Sequence, residues 1–236
     1  MVNFEAWEQW QRPDGAVWRV NDVEGGHLVL TSKGQELIQD RPELEDYLQA
    51  YLHRAVGGTA LPGAVETRTF IASGARSNVY EMAPGVAVKE ASKTGSSIYA
   101  VGRIDRLLTL IETAVPRWID IPPHYAVLYS TNLPKDYIVQ RKIDSGITAE
   151  WLFRPDDMAE YQRVAVEREL GTVSEEERLQ IESAFEEAGR VVSAALVQVG
   201  EEPRRYLTDY HPGNVLVERL RTPIAGKDHK LWIIDQ

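Results

Sequence analysis

The chain has no cysteine among its 236 residues. That absence excludes a disulfide framework, a thiolate metal site and a cysteine nucleophile, and it suits a reducing cytosol. Long apolar runs are also missing, since none approaches the roughly 20 residues that cross a bilayer. The first residues, including Asn3, Glu5, Trp7, Glu8 and Trp10, lack the basic start and apolar stretch of a signal peptide. Basic side chains are in deficit, 26 Lys and Arg against 36 Asp and Glu, for a formal charge of −10. No block of clustered Lys and Arg exists to contact a nucleic-acid backbone, so no nucleic-acid partner is expected. Repeats and low-complexity tracts are absent as well. What is present, 43% hydrophobic and 26% charged residues, is the make-up of a packed cytoplasmic globule.

Turn signals and periodicity divide the chain. Residues 1–64 read as an accessory region. The turn Arg12-Pro13-Asp14-Gly15 leads into Ala16 to Val20, and Glu24-Gly25-Gly26 separates that run from His27 to Thr31, which predicts a hairpin. Leu44, Tyr47, Leu48 and Tyr51 recur at helical spacing, and Gly57-Gly58 with Pro62-Gly63 makes a linker. Trp7, Trp10 and Trp18 read as core anchors rather than a ligand box. From Glu66 onward the pattern predicts strands: Thr67 to Ala72, Asn78 to Met82 and Val86 to Glu90, the last two joined by a type II turn at Pro84-Gly85. An amphipathic helix over 97–113 follows, then strands Tyr125 to Tyr129 and Tyr137 to Gln140. Residues 149–170 read as helix interrupted at Pro155, and Ser174 with Glu177 opens a long helix to about Val199. Its apolar stripe is Leu179, Ala184, Phe185, Ala188, Val192 and Ala195, and its glutamates read as a solvated face. A short strand Val215 to Val217, a long loop and a strand Leu231 to Ile234 complete the plan.

Three segments carry chemistry. In Ile71-Ala72-Ser73-Gly74-Ala75-Arg76-Ser77, small side chains let backbone N–H groups approach a polyphosphate closely, although an ordinary hairpin turn has the same composition. In Val86-Ala87-Val88-Lys89, strand alternation puts the Ala87 methyl and the Lys89 cation on one face, where a flat base could lie beside a phosphate-seeking ammonium. A solvated edge lysine is the plain alternative. In Asp209-Tyr210-His211-Pro212-Gly213-Asn214, the Pro-Gly reversal lets Asp209 and Asn214 address one ligand. Asp235 follows the apolar run Trp232-Ile233-Ile234. An amide oxygen and a carboxylate are hard ligands suited to Mg²⁺, and an aspartate can orient a hydroxyl. Asp and Asn are also ordinary turn and cap residues.

In order and type these segments resemble the protein-kinase-like superfamily over residues 66–236. The His-Pro-Gly after the aspartate is similar to the aminoglycoside phosphotransferases and to the atypical RIO and ubiquinone-associated kinases. The resemblance implies an α+β, bilobal fold: a five-stranded antiparallel N-lobe over 65–140 and a reduced, mostly helical C-lobe over 141–236. It implies an ATP- and Mg²⁺-dependent phosphotransferase acting on a protein or small-molecule hydroxyl, with Asp209 as base or hydroxyl orienter and Lys89 on the α- and β-phosphates. Asn214 and Asp235 would hold Mg²⁺. ATP would meet Ala72, Gly74, Ser77 and Val79 of the covering loop and Ala87 beneath it. Gln140 to Asp144, with Lys142, would form an adenine-binding hinge, and His211 stands where many kinases place a γ-phosphate lysine. The helix 97–113 would offer Lys89 an acidic partner, Asp105 or Glu112.

Departures from the pattern set up a second expectation. Ala72 and Ser77 replace two of the usual three glycines, and Leu207 stands where a histidine commonly precedes the catalytic aspartate. Asp235 is followed by Gln236 alone, without the Phe-Gly, activation segment or later helices of ordinary protein kinases. A pseudokinase, binding nucleotide or a protein without phosphotransfer, is the alternative expectation, and an artificial boundary after Gln236 would restore a larger lobe.

Overall fold

The computed structural model describes residues 19–23, 26–55, 69–73, 77–92, 112–129, 135–207 and 210–234. The fold is α+β and divides into two compact units, Met1–Asp105 with Pro123–Lys142, and Arg106–Pro122 with Ile143–Gln236.

In the first unit the elements are β1 (Arg19–Val23), β2 (Gly26–Leu30), α1 (Ser32–Asp40), α2 (Glu43–Ala55), β3 (Thr69–Ser73), β4 (Ser77–Ala83) and β5 (Val86–Ser92). After β6 (Ile119–Asp120), which belongs to the second unit, come β7 (His124–Tyr129) and β8 (Lys135–Arg141). Seven strands form one sheet in the order β1-β2-β7-β8-β5-β4-β3, and every neighbouring pair is antiparallel. Gly85 closes the β4–β5 turn at φ 77°, as the Pro-Gly pair requires.

One face of this sheet is sealed by α1 and α2. Ile38, Leu44 and Leu48 pack with Leu30, Met82, Val86, Val88, Ala126 and Val139, and each large side chain so buried contributes about 1.5–3 kcal/mol. Thr31 fixes the start of α1: its hydroxyl accepts from Gly34 N at 3.0 Å and donates to His124 O at 2.6 Å. Gly34 has no room for a side chain, since a Cβ would stand 1.9 Å from Tyr125 O. Glu90 shares the sealed face and is buried, but the Tyr51 hydroxyl at 2.7 Å and Lys135 Nζ at 3.1 Å satisfy its two oxygens.

In the second unit β9 (Val215–Ile224) and β10 (Lys227–Ile233) form a hairpin, and β6 pairs parallel to β10. Ala225 and Gly226 join the hairpin at φ 51° and 76°, the two positive values of a type I′ turn. The helices are α3 (Ala149–Phe153), α4 (Glu160–Leu170) and α5 (Glu175–Gln198), with a 3₁₀ turn at Pro155–Asp157. Ser174 caps α5, its hydroxyl accepting from Glu177 N at 3.1 Å. The buried stripe of α5 is Ile181, Ala184, Ala188, Val192, Ala195 and Leu196.

Several expectations change. The sheet has seven described strands rather than five, because β2 pairs with β7 and so adds the hairpin to the expected set. The expected long loop after Val217 is the β9–β10 hairpin, and its two-residue turn carries only one glycine to mark it. Leu179, placed on the stripe of α5, is 59% exposed, and Ile181 takes the inward position. Of the helix expected over 97–113, the described part is its end, Glu112 to Ala114. Trp7, Trp10 and Trp18 lie outside the described residues.

His229 on β10 is buried opposite Arg219 of β9, with Nε2 3.1 Å from Glu177 Oε1 of α5 though not in hydrogen-bonding geometry. Arg219 pairs with the same carboxylate. Burial pushes the imidazole below its ordinary pKa, against the pull of the Glu177 and Asp228 carboxylates. The unfolded chain therefore takes up a proton before the folded one does. The stability this group contributes is present above about pH 6.5 and is lost as pH falls below it. We predict that between about pH 6.5 and 5.5 the wild type loses stability faster than His229→Gln, by at most about 1.4 kcal/mol per pH unit in urea denaturation. Parallel curves for the two proteins would contradict this.

Candidate functional site

Strand alternation in β5 sets the geometry of the first unit. Val86, Val88 and Glu90 turn to the face sealed by α1 and α2, so Ala87 and Lys89 turn to the other. Register then shows which expected residues share that second face. Val79 is directly opposite Lys89, Ala72 is opposite Val79, and Ser77 lies two positions before Val79 on β4. Gln140 is opposite Ala87. Ala72, Ser77, Val79, Ala87, Lys89 and Gln140 thus lie on one face of four adjacent strands, β3-β4-β5-β8. Ala87 is fully buried there, Lys89, Val79 and Gln140 are half-buried, and Ala72 is exposed.

The expected hinge is more committed than sequence suggests. Gln140 is paired on both sides, with Ala87 and with His124. Arg141 N donates to Pro123 O at 2.9 Å, and Lys142 N donates to Gly85 O at 3.0 Å. The Lys142 ammonium lies 3.0 Å from Glu81 Oε2. Its side chain braces the end of β8 against β4, a role that nothing in its spacing announced.

In the second unit the loop that follows Asp209 is fixed at both of its described ends. Tyr210 lies flat on Phe185 of α5, with ring centroids 4.6 Å apart and planes 6° from parallel, and its hydroxyl donates to Phe185 O at 2.6 Å. Phe153 of α3 meets the edge of the same phenylalanine at 5.6 Å. Burial pushes the Tyr210 phenol well above its ordinary pKa, so it stays a neutral donor. At the other end, Asn214 O accepts from Ile234 N at 2.9 Å. That bond continues the β9–β10 ladder past Val215 and Ile233 and joins the loop to the residue before Asp235.

Between these anchors a 3₁₀ turn spans Pro212–Asn214, with His211 as its cap. His211 Nδ1 accepts from Gly213 N at 3.1 Å, which leaves Nε2 as the ring's other hydrogen-bonding atom. The turn is crowded on one side: a Cβ on Gly213 would stand 2.9 Å from His211 Cε1 and 3.0 Å from Glu150 Oε2 of α3. Glu150 is thereby a neighbour of the turn, although it lies about 60 residues upstream and no motif marked it.

Gly74, Asp105, Asp209 and Asp235 lie outside the described residues. Glu112 is exposed in the second unit. Among the described residues no three His, Asp or Glu side chains cluster as a metal site. No described helix is long and apolar enough to cross a membrane.

Neither the models of known protein families nor the curated protein sequences contain a match to this chain.

The crowding at Gly213 gives a direct test. A methyl group there would meet His211 Cε1 at 2.9 Å, so the ring that accepts from Gly213 N must shift. Gly213→Ala is expected to lower stability by about 1 kcal/mol, the worth of one hydrogen bond, in chemical denaturation. A variant as stable as the wild type would show that the turn tolerates a side chain.

Proposed function

We propose that the protein is an ATP- and Mg²⁺-dependent phosphotransferase of protein-kinase-like, bilobal design, transferring the γ-phosphate of ATP to a hydroxyl of a protein or small molecule. The observation that carries this reading is the shared face. Positions picked out from three separate segments, Ala72, Ser77 and Val79, then Ala87 and Lys89, then Gln140, fall on one side of four contiguous strands. Pairing between the strands could have set any of the three segments on the opposite face.

The roles follow from chemistry. Ala87 puts only a small methyl on this face, and Lys89 beside it offers a point charge for phosphate oxygens. Asp209 would accept a hydrogen bond from the acceptor hydroxyl and turn its oxygen toward phosphorus. Asn214 supplies an amide oxygen on a loop tied to the chain just before Asp235, and that pair of hard oxygen donors fits Mg²⁺. When bound, the metal would neutralise charge on the phosphates. His211 caps the same turn, its Nδ1 accepting from Gly213 N, at the place where many kinases have a γ-phosphate lysine. The protein's task in such a reaction is mainly positioning and charge neutralisation.

A second reading, the pseudokinase as a protein-interaction module, is favoured by the committed hinge, where the N–H groups of Arg141 and Lys142 are bonded within the sheet rather than offered to an adenine. Both forms of the pseudokinase, nucleotide-binding or purely interacting, drop transfer.

Mg²⁺-ATP at about 100 times its dissociation constant should stabilise the fold by about 2.7 kcal/mol, seen as a rise in melting temperature. Lys89→Ala should abolish most of that rise. Asp209→Ala should retain the rise while phosphate transfer from labelled ATP falls by roughly 10²–10⁴. Absence of any shift at millimolar ATP would remove both nucleotide-binding readings and leave the interaction module. A shift without transfer to itself, to water or to a broad acceptor panel would leave the pseudokinase.

A further inference from the structure

We propose that Tyr210 is a positioning residue for phosphoryl transfer, holding the Asp209 end of the catalytic loop on helix α5 through its phenol. This rests on the phosphotransferase reading, and it adds a residue that the motif D-x-H-P-G-N leaves as an unspecified position.

The contacts are more exacting than those of a filler side chain. The ring lies against the backbone of α5 at Gly189, where an added Cβ would come within 2.8 Å of Tyr210 Cε1. Only a residue without a side chain admits the ring so close. The hydroxyl then reaches Phe185 O at 2.6 Å, one helical turn before Gly189, while the ring stacks on Phe185 itself. A leucine could fill the same slot by packing, but it could not fix rotation about the slot. The flat stack together with a hydrogen bond at the ring's far end does so.

The position of this tether in the loop gives it a specific consequence. Two side-chain and ladder anchors hold the ends of residues 210–214: Tyr210 on α5, and Asn214 O on Ile234 N at 2.9 Å. The second anchor is independent of the first, because it belongs to the β9–β10 ladder. Releasing Tyr210 frees the side of the loop next to Asp209 and leaves the side that carries Asn214 in place. Nucleotide and metal binding should survive, and the chemical step should suffer. The expected signature is a fall in kcat with little change in KM, which general destabilisation would not produce under conditions where the protein is fully folded.

The test uses the full chain with [γ-³²P]ATP and Mg²⁺, with water and the protein itself as acceptors, and compares wild type, Tyr210→Phe and Tyr210→Ala. Far-UV circular dichroism sets a temperature at which all three are folded. Tyr210→Phe keeps the ring and loses the hydroxyl bond, so it guards against a variant that fails to fold. Turnover should fall about tenfold in Tyr210→Phe and at least about a hundredfold in Tyr210→Ala, with KM for ATP within about twofold of wild type. In the same samples without nucleotide, hydrogen exchange of a peptide spanning 207–214 should speed up in Tyr210→Ala. Unchanged exchange overturns the tether whatever the activity. Faster exchange with unchanged turnover, or with a change in KM alone, overturns the positioning role. A wild type that binds Mg²⁺-ATP but shows no turnover removes the phosphotransferase reading and the positioning role with it, while the exchange result still reports separately on the tether.

Discussion

The two-residue period of strand β5 is the constraint on which the first unit depends. Val86, Val88 and Glu90 must face α1 and α2, because two of them are core and the third finds its partners, Tyr51 and Lys135, on that side. A slip of one residue would put Lys89 into the apolar layer and Val88 outside it, at the cost of an unpaired buried charge and a lost core contact. The face that presents Ala87 and Lys89 is therefore set by core packing on the opposite face. Antiparallel pairing on either side of β5 transmits the choice to β4 and β8, and so places Val79 and Gln140 as well.

The second unit reaches its arrangement by a different route. Here a loop, not a strand face, carries the polar groups, and loops hold position only when their ends are tied. One tie is the backbone bond from Ile234 to Asn214, an extension of an antiparallel ladder whose inner residues Val215, Val217, Leu231 and Ile233 are fully buried. The other is the phenol of Tyr210 on α5, admitted by the missing side chain of Gly189. Packing of apolar strands and one small residue on a helix thus determine where a polar turn can stand.

Much of this was legible in the sequence, for identifiable reasons. The strands β4, β5, β7 and β8 announce themselves by β-branched and aromatic residues between turn signals, and Pro155 and Ser174 mark where helices break and begin. What escaped was long-range. Nothing local says that the hairpin β1–β2 should add to β7, since pairing partners distant in sequence leave no periodic trace. Helix α1 is short, with Gly34 inside it, and glycine in a helix argues against the helix unless one knows that Tyr125 O lies where a Cβ would be. The β9–β10 turn, Ala225-Gly226, lacks the Asn-Gly or Asp-Gly signature of its type. In the candidate site, Lys89 and Asn214 were visible as motif members. Tyr210, Glu150 and the Glu81 partner of Lys142 were not, because each acts through a contact that sequence order conceals.

The central claim is that the face carrying Ala87 and Lys89 receives the nucleotide of Mg²⁺-ATP. Amide chemical shifts of the labelled protein, followed through a titration with Mg²⁺ and a non-hydrolysable ATP analogue, test it most directly. Saturable shifts are expected at Ser77 to Val79, at Ala87 to Lys89 and at Gln140 to Lys142. Shifts confined to other segments, or none at millimolar nucleotide, would contradict it.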